Sequence, residues 1–145
     1  MADGEKPKSL LGFDYGLKQI GVASGQTLTN SAEGIAILKA VDGIPDWSQV
    51  DKLLQEWQPD LVVVGLPLNM DDSESDLSSR ARKFARRLHG RFGVEVEMVD
   101  ERLTSREAKM LGREQGTQDL TKIDHIAASL ILQSWLDCPE LGAAP

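Results

Sequence analysis

The sequence has one cysteine and no long apolar run, and each absence excludes a class of protein. Cys138 is alone among 145 residues, which rules out an internal disulfide and a thiolate-only zinc site. No apolar stretch approaches the roughly 20 residues of a bilayer-spanning helix, so we expect no membrane association. Residues 1–8 are polar and lack the apolar centre of a secretory signal. These absences predict a soluble, cytoplasmic protein.

The sequence also lacks an excess of positive charge. It has 16 basic and 23 acidic residues, a formal net charge of −7. Taken as a total, this balance argues against a nucleic-acid ligand. Aromatic residues are few, and Trp47, Trp57 and Trp135 fall in helical patterns, which favours core packing over base stacking.

The positive charge that is present is concentrated in one segment. Residues 80–91 contain six bases and no acid, whereas the rest of the chain has 10 bases and 23 acids. The six bases are Arg80, Arg82, Lys83, Arg86, Arg87 and Arg91. In a helix they lie opposite an apolar stripe, and a merely solvated face would intersperse glutamates. We interpret the segment as a surface for a polyanion, extended by Arg102, with a solvated helix face as the alternative.

Hydrophobic periodicity predicts an α/β fold. Apolar runs and alternation indicate strands, and steps of three and four indicate helices. The predicted order is β-β-β-α-β-α-β-α-α, with strands near 9–13, 20–24, 34–38, 61–64 and 94–98. Helices are predicted near 46–57, 105–113 and 123–136, and another starts near residue 75 or 76 with an apolar stripe that runs to Leu88. This order favours a five-stranded mixed sheet, three strands antiparallel and then parallel, flanked by helices. We expect one domain over residues 9–137, a disordered tail at 1–8 and a second tail at 138–145.

Carboxylates stand at three places where such a sheet would bring them together. Asp14 ends the first strand, Asp100 and Glu101 end the last strand, and Asp124 opens the last helix. Taken singly, Asp14 would close a turn and Asp124 would favour a helix N-terminus. Together they form the oxygen-ligand set of Mg²⁺ or Mn²⁺, and two such ions catalyse phosphodiester cleavage. Strand parity leaves the choice between Asp100 and Glu101 open, because the sheet is covered on both faces.

Four ordered motifs resemble the YqgF/RuvX family of the RNase H-like superfamily, which is related to RuvC-type Holliday junction resolvases. They are residues 11–23 (LGFDYGLKQIGVA), 64–70 (VGLPLNM), 99–104 (VDERLT) and 123–128 (IDHIAA). The resemblance covers residues 9–136. It implies an RNase H-like sheet and a metal-dependent nuclease, a hydrolase of phosphodiester bonds, assigned in bacteria to maturation of the 5′ end of pre-16S ribosomal RNA.

The resemblance also implies roles for particular residues. The family's catalytic and metal-binding acids fall on Asp14, Glu101 and Asp124, with Asp100 as an outer or structural partner. Lys18 stands at a position that is usually basic, where it would contact a substrate phosphate. The sequence departs from the relatives as well. RuvC-type enzymes carry acids where this chain has Gly65 and Thr121, and a loop glycine is replaced here by Asp72.

Three functions therefore remain in competition. The first is a nuclease that processes precursor ribosomal RNA with one or two Mg²⁺ or Mn²⁺ ions. The second is a resolvase of branched DNA, which needs a dimer with two active sites. The third is a non-catalytic RNA-binding factor in ribosome assembly, favoured by the missing acids. The sequence does not decide between a monomer and a homodimer.

Overall fold

The computed structural model describes residues 8–68, 71, 73–100 and 120–145, and of residues 120–126 it describes the backbone. The strands are β1 (Ser9–Asp14), β2 (Gln19–Gln26), β3 (Ser31–Val41), β4 (Ile44–Pro45), β5 (Leu61–Leu66) and β6 (Val96–Asp100). The helices are α1 (Trp47–Trp57), α2 (Asp76–Phe92) and α3 (Leu120–Asp137), followed by a 3₁₀ turn at Pro139–Leu141. The helix predicted at 105–113 lies outside the described residues.

The strands form one mixed sheet in the order β4-β3-β2-β1-β5-β6. Strands β1 to β4 pair antiparallel, and β5 and β6 continue the sheet parallel to β1. The predicted fold class is confirmed, but the predicted count of five strands is one too few. The additional strand arises because Asp42 and Gly43 both have positive φ, which reverses the chain and pairs Ile44–Pro45 with the end of β3.

Helices cover both faces of the sheet. Helices α1 and α2 pack on one face against a core that includes Phe13, Val64 and Met98. Helix α3 packs on the other against Leu10 and Val63, among others. Successive strand residues point to opposite faces, so this division assigns a face to each position along β1, β5 and β6. In the described part of the chain, no helix combines the length and apolarity needed to cross a membrane.

Local signals set where the first two helices begin. Asp46 caps α1 by accepting a hydrogen bond from the backbone N–H of Ser48 at 2.9 Å. Ser75 and Ser78 form a reciprocal capping box at α2, and the Ser78 hydroxyl also donates to the carbonyl oxygen of Pro67. The start of α2 is thereby tied to the carboxyl end of β5.

Helix α3 packs tightly against a glycine of β1. A Cβ atom at Gly12 would lie 3.0 Å from Cβ of Leu132 and 3.2 Å from the carbonyl oxygen of Ala128. Toward the C-terminal end of α3, Gln133 donates to the carbonyl oxygen of Asn30 and Asp137 accepts a hydrogen bond from the Asn30 side chain, in the β2–β3 turn beside the start of β1. Helix α3 therefore runs antiparallel to β1, with its first turns toward the carboxyl end of that strand.

The last residues of the chain lie along the sheet edge. Ala143 and Met98 exchange two backbone hydrogen bonds of 2.8 and 2.9 Å, which pairs the C-terminal segment with β6. Arg82 of α2 reaches the carbonyl oxygen of Pro145 at 3.4 Å. The segment around Ala143 thus covers the outer edge of β6 at Met98, where backbone groups would otherwise be unpaired.

Candidate active site

Asp14 ends β1 on the face that α3 covers. Leu10 belongs to the α3-side core and Gly12 touches α3, so Asp14, two residues further on, shares their face. Tyr15, the next residue, is buried in the core on the α1/α2 side. The strand end therefore presents a half-buried carboxylate to one face and a phenol ring to the other.

The turn after Asp14 has a shape that depends on glycine. A Cβ atom at Gly16 would lie 2.5 Å from the carbonyl oxygen of Gln19, inside contact distance. The turn is held against the next hairpin, because the carbonyl oxygens of Leu17 and Lys18 accept hydrogen bonds from Gly43 (2.9 Å) and Ala40 (2.8 Å). The Lys18 side chain is exposed on this fixed turn. A basic group is thus presented four residues after Asp14.

The carboxyl ends of the parallel strands β1, β5 and β6 lie side by side and form one rim of the sheet. Phe13 pairs with Val64 in parallel register, so Gly65 follows beside Asp14. Gly65 shares its face with Val63, which is the α3 face. A side chain is therefore missing beside Asp14, at the position where the RuvC-type pattern has an acid.

Asp100 belongs to the same rim but to the other face. It pairs with Leu66 at the end of β6. Met98 and Val96, two and four residues earlier, lie in the α1/α2-side core, so Asp100 shares that side, opposite to Asp14. The face of the sheet on which Asp100 lies, which alternation along the strand left open, is thereby known. Glu101 and Arg102 lie outside the described residues.

Asp124 lies in α3, one turn before Ala128. Four helical residues advance about 6 Å and two strand residues about 6.6 Å, so position 124 lies about as far beyond the Gly12 contact as Asp14 does. The side chains of Asp124, Thr121 and His125 lie outside the described residues. No cluster of three metal-binding side chains occurs among those that the structure does describe, two of the three predicted ligands being outside them.

Three of the six bases on α2 already have partners. Arg80 forms ion pairs with Asp42 (2.7 Å) and Asp76 (3.0 Å). The hydrogen bond to Asp42 is the main cause of a raised pKa at Arg80. Arg82 pairs with Glu74 at 2.7 Å, which lowers the pKa of that carboxyl.

The third engaged base is Arg91, whose guanidinium carbon lies 4.5 Å from the centre of the Trp47 ring. The other three bases, Lys83, Arg86 and Arg87, are exposed. Within the described part of the chain, none of the three has a carboxylate within 4.0 Å. The free positive charge of α2 is therefore carried by three residues in its middle.

Sequence reasoning missed the group formed by Tyr15, Asp42 and Arg80. The Tyr15 hydroxyl donates to the carbonyl oxygen of Gly43 at 3.1 Å, and burial raises the pKa of Tyr15. Asp42 and Arg80 are 38 residues apart in the sequence, so no local sequence pattern indicates that they pair. The Asp-Gly turn at 42–43 was the one signal that could have indicated a hairpin packing there.

Comparison with known proteins identifies the family. The family model described as RuvX, Holliday junction resolvase, matches residues 8–138. The chain belongs to the RuvX family. A protein of Azotobacter vinelandii is 55% identical over 133 residues, covering 90% of this chain and 94% of its own. One of Pseudomonas putida is 56% identical over 132 residues, covering 88% and 94%. Both carry the name "Putative pre-16S rRNA nuclease".

Solved structures place this RuvX chain in a known fold. RuvC of Thermus thermophilus, solved in complex with a Holliday junction substrate, superposes with a TM-score of 0.52 at 14% identity, covering 93% of this chain and 98% of RuvC. The fowlpox virus Holliday junction resolvase gives 0.53 at 18% identity, covering 89% and 98%. At these identities the likeness establishes the fold: a RuvC-like, RNase H-like architecture.

Proposed function

We propose that this RuvX protein is a metal-dependent endonuclease with Asp14, Glu101 and Asp124 as the acids of its active site. The observation that carries the proposal is the shared face of Asp14 and α3. The carboxylate ends β1 on the side of the sheet that this helix covers, and the helix includes Asp124. Asp100 lies on the opposite side, which favours Glu101 as the third acid.

The donor set fits a hard divalent cation. Three carboxylates supply only oxygen ligands, which suit Mg²⁺ or Mn²⁺ and leave positions for water and phosphate oxygens. When bound, such an ion would activate water and stabilise charge on the scissile phosphate. The chain's own contribution is to hold Asp14 at a strand end braced by Gly16 and to present Lys18 for a substrate phosphate. The absence of a side chain at Gly65 leaves the space beside Asp14 to the substrate or the ion.

For the substrate we propose the 5′ end of pre-16S ribosomal RNA. This proposal rests on the name shared by relatives that are 53–57% identical over nearly their full length. A substrate of this kind places the protein in the bacterial cytoplasm.

The test is cleavage of a pre-16S transcript with Mg²⁺ or Mn²⁺. Asp14→Asn keeps the size of the side chain and removes its charge, and we expect a loss of at least about a hundredfold in rate. The matched control is Asp51→Asn, an exposed acid on α1, which should cleave like the wild type. Equal rates for wild type and Asp14→Asn would contradict the proposed site. Salt-dependent RNA binding without any cleavage would instead support the assembly-factor alternative.

Resolution of DNA junctions is the second candidate, favoured by the description of the family model and by the likeness to RuvC. It requires two copies that present paired active sites to one junction. A four-way DNA junction tested beside the RNA transcript, with sedimentation to measure the oligomeric state, separates the two candidates. A monomer that cleaves the transcript and leaves the junction intact would exclude the resolvase.

A further inference from the structure

A pocket lies behind Asp14, on the opposite face of the sheet. It has a volume of about 270 Å³ and is bounded by the rings of Tyr15, Trp47 and Phe84. Tyr15 directly follows Asp14, so the pocket and the candidate active site share one strand end. We call this cavity the Tyr15 pocket.

The open side of the Tyr15 pocket is basic. Arg80, Lys83 and Arg87 line it, at helical steps of three and four that place them on one stripe of α2. Arg86 also projects from α2 and is exposed, but it lies off this stripe and does not line the pocket. Two of the three free bases of α2 therefore converge on one cavity.

Among the described residues that line the pocket, Asp42 is the single acid, and it offsets part of this charge. Its carboxylate pairs with Arg80 at 2.7 Å, which leaves Lys83 and Arg87 as the cations free to bind a ligand. A pocket with two unpaired cations and a neutral, hydrogen-bonded phenol is complementary to an anion.

The size and the rings of the pocket limit what the anion can be. A volume of about 270 Å³ lies just below the usual range for small-molecule pockets and is enough for a sugar-phosphate unit. Trp47 is stacked on Phe84, with ring centres 5.8 Å apart, and Arg91 lies over Trp47 as well. Because these neighbours occupy the ring, stacking of a base on Trp47 is disfavoured and recognition would be independent of sequence.

We propose that the Tyr15 pocket binds a phosphate ester of the nucleic-acid strand through Lys83 and Arg87. The strand would be held on the α1/α2 face and would cross the rim to reach Asp14 on the other. This inference rests on the proposed nuclease function. A free nucleoside monophosphate has the same chemistry and is the other source that the test distinguishes.

The test uses two neighbouring arginines of the same helix. Binding of a labelled single-stranded RNA is measured by fluorescence anisotropy in EDTA, so that the readout needs neither metal nor cleavage. Arg87→Glu should weaken binding about tenfold or more, because a charge-assisted contact is lost. Arg86→Glu makes the same change in charge outside the pocket and should cost no more than about threefold. Lys83→Glu should reproduce the effect of Arg87→Glu.

A third variant changes affinity in the opposite direction. Asp42→Asn removes the acid that offsets Arg80, so binding should tighten about two- to fivefold. Asparagine tolerates the left-handed backbone at position 42, where φ is 52°, so the turn is kept. Circular dichroism confirms that each variant is folded.

The outcomes are distinct. Equal losses for Arg86→Glu and Arg87→Glu, or no tightening in Asp42→Asn, would overturn the pocket in favour of a diffuse basic surface. Adenosine monophosphate that competes with RNA on the wild type but not on Arg87→Glu would support the site and identify a free nucleotide as its ligand. Displacement of the labelled RNA by unlabelled RNA, but not by adenosine monophosphate, would support the site and identify the strand as its ligand. Absence of cleavage with intact pocket binding would contradict the proposed function and leave the pocket standing.

Discussion

At the scale of single residues, three glycines separate the effects of backbone strain, steric contact and helix propensity. Gly43 has φ of 80°, and a Cβ there would meet the Tyr15 hydroxyl at 1.9 Å. Gly93 has φ of 69° but open space around it, and Gly90 lies in α2 with nothing within 4 Å. Gly93 and Gly90 both have open space and differ in backbone conformation. Alanine at position 93 therefore measures backbone strain, and alanine at position 90 measures helix propensity.

The free energy of unfolding should therefore change in three different ways. Gly43→Ala should lower it by more than about 2 kcal/mol, through strain and the displaced Tyr15. Gly93→Ala should lower it by about 1 kcal/mol, and Gly90→Ala should raise it by about 0.5–1 kcal/mol. Urea denaturation measures all three. Equal losses at Gly43 and Gly93 would show that the Tyr15 contact contributes nothing.

Single residues also show which features of the candidate site could be predicted from the sequence and which could not. The carboxylates could be selected from their places at strand and helix ends, and the resemblance to a family ranked Glu101 above Asp100. The face of Asp100 required the structure, because β6 is covered on both sides and alternation alone does not say which side belongs to α2. The pairing of Arg80 with Asp42 required it too, since it depends on packing between distant segments.

At the scale of secondary-structure elements, the spacing between α3 and β1 is the feature on which the candidate site depends. Gly12→Ala inserts a methyl group 3.0 Å from Leu132 and 3.2 Å from the Ala128 carbonyl, so the helix must shift by a few tenths of an ångström. We expect a loss of about 1–3 kcal/mol in the free energy of unfolding. Cleavage should fall about tenfold, because α3 carries Asp124.

Urea denaturation and the transcript assay at one temperature measure both effects of Gly12→Ala, with Gly90→Ala as the control for an added methyl group in open space. A destabilised Gly12→Ala that cleaves like the wild type would indicate that the position of α3 is irrelevant to the site.

Element boundaries followed local signals where these were strong. The apolar β-branched run at 61–64 and the helical stripe after Asp46 were predictable, because the pattern of apolar residues within each segment indicates which of its residues are buried. Strand β4 was not predictable, since two residues that include Pro45 carry no periodicity and pair only because the turn at 42–43 returns them to β3. The pairing of the C-terminal segment with Met98 was not predictable either, because it depends on an edge that only the assembled sheet provides.

At the scale of the whole molecule, the net charge of −7 conceals a local excess of positive charge, and the salt dependence of binding can measure how much of it is available. Each phosphate neutralised on a single strand contributes about −0.7 to the slope of log K against log salt. If Lys83 and Arg87 each contact a phosphate, the Lys83→Ala/Arg87→Ala variant should have a slope shallower by about 1.4.

The matched variant Arg82→Ala/Arg91→Ala removes the same charge from bases already engaged by Glu74 and Trp47, and its slope should change by less than about 0.7. Anisotropy titrations of RNA without metal, from about 50 to 200 mM salt, give both slopes. Equal changes in the two variants would mean that the ion pairs of α2 open on binding, and that all six bases, rather than the free ones, form the nucleic-acid surface.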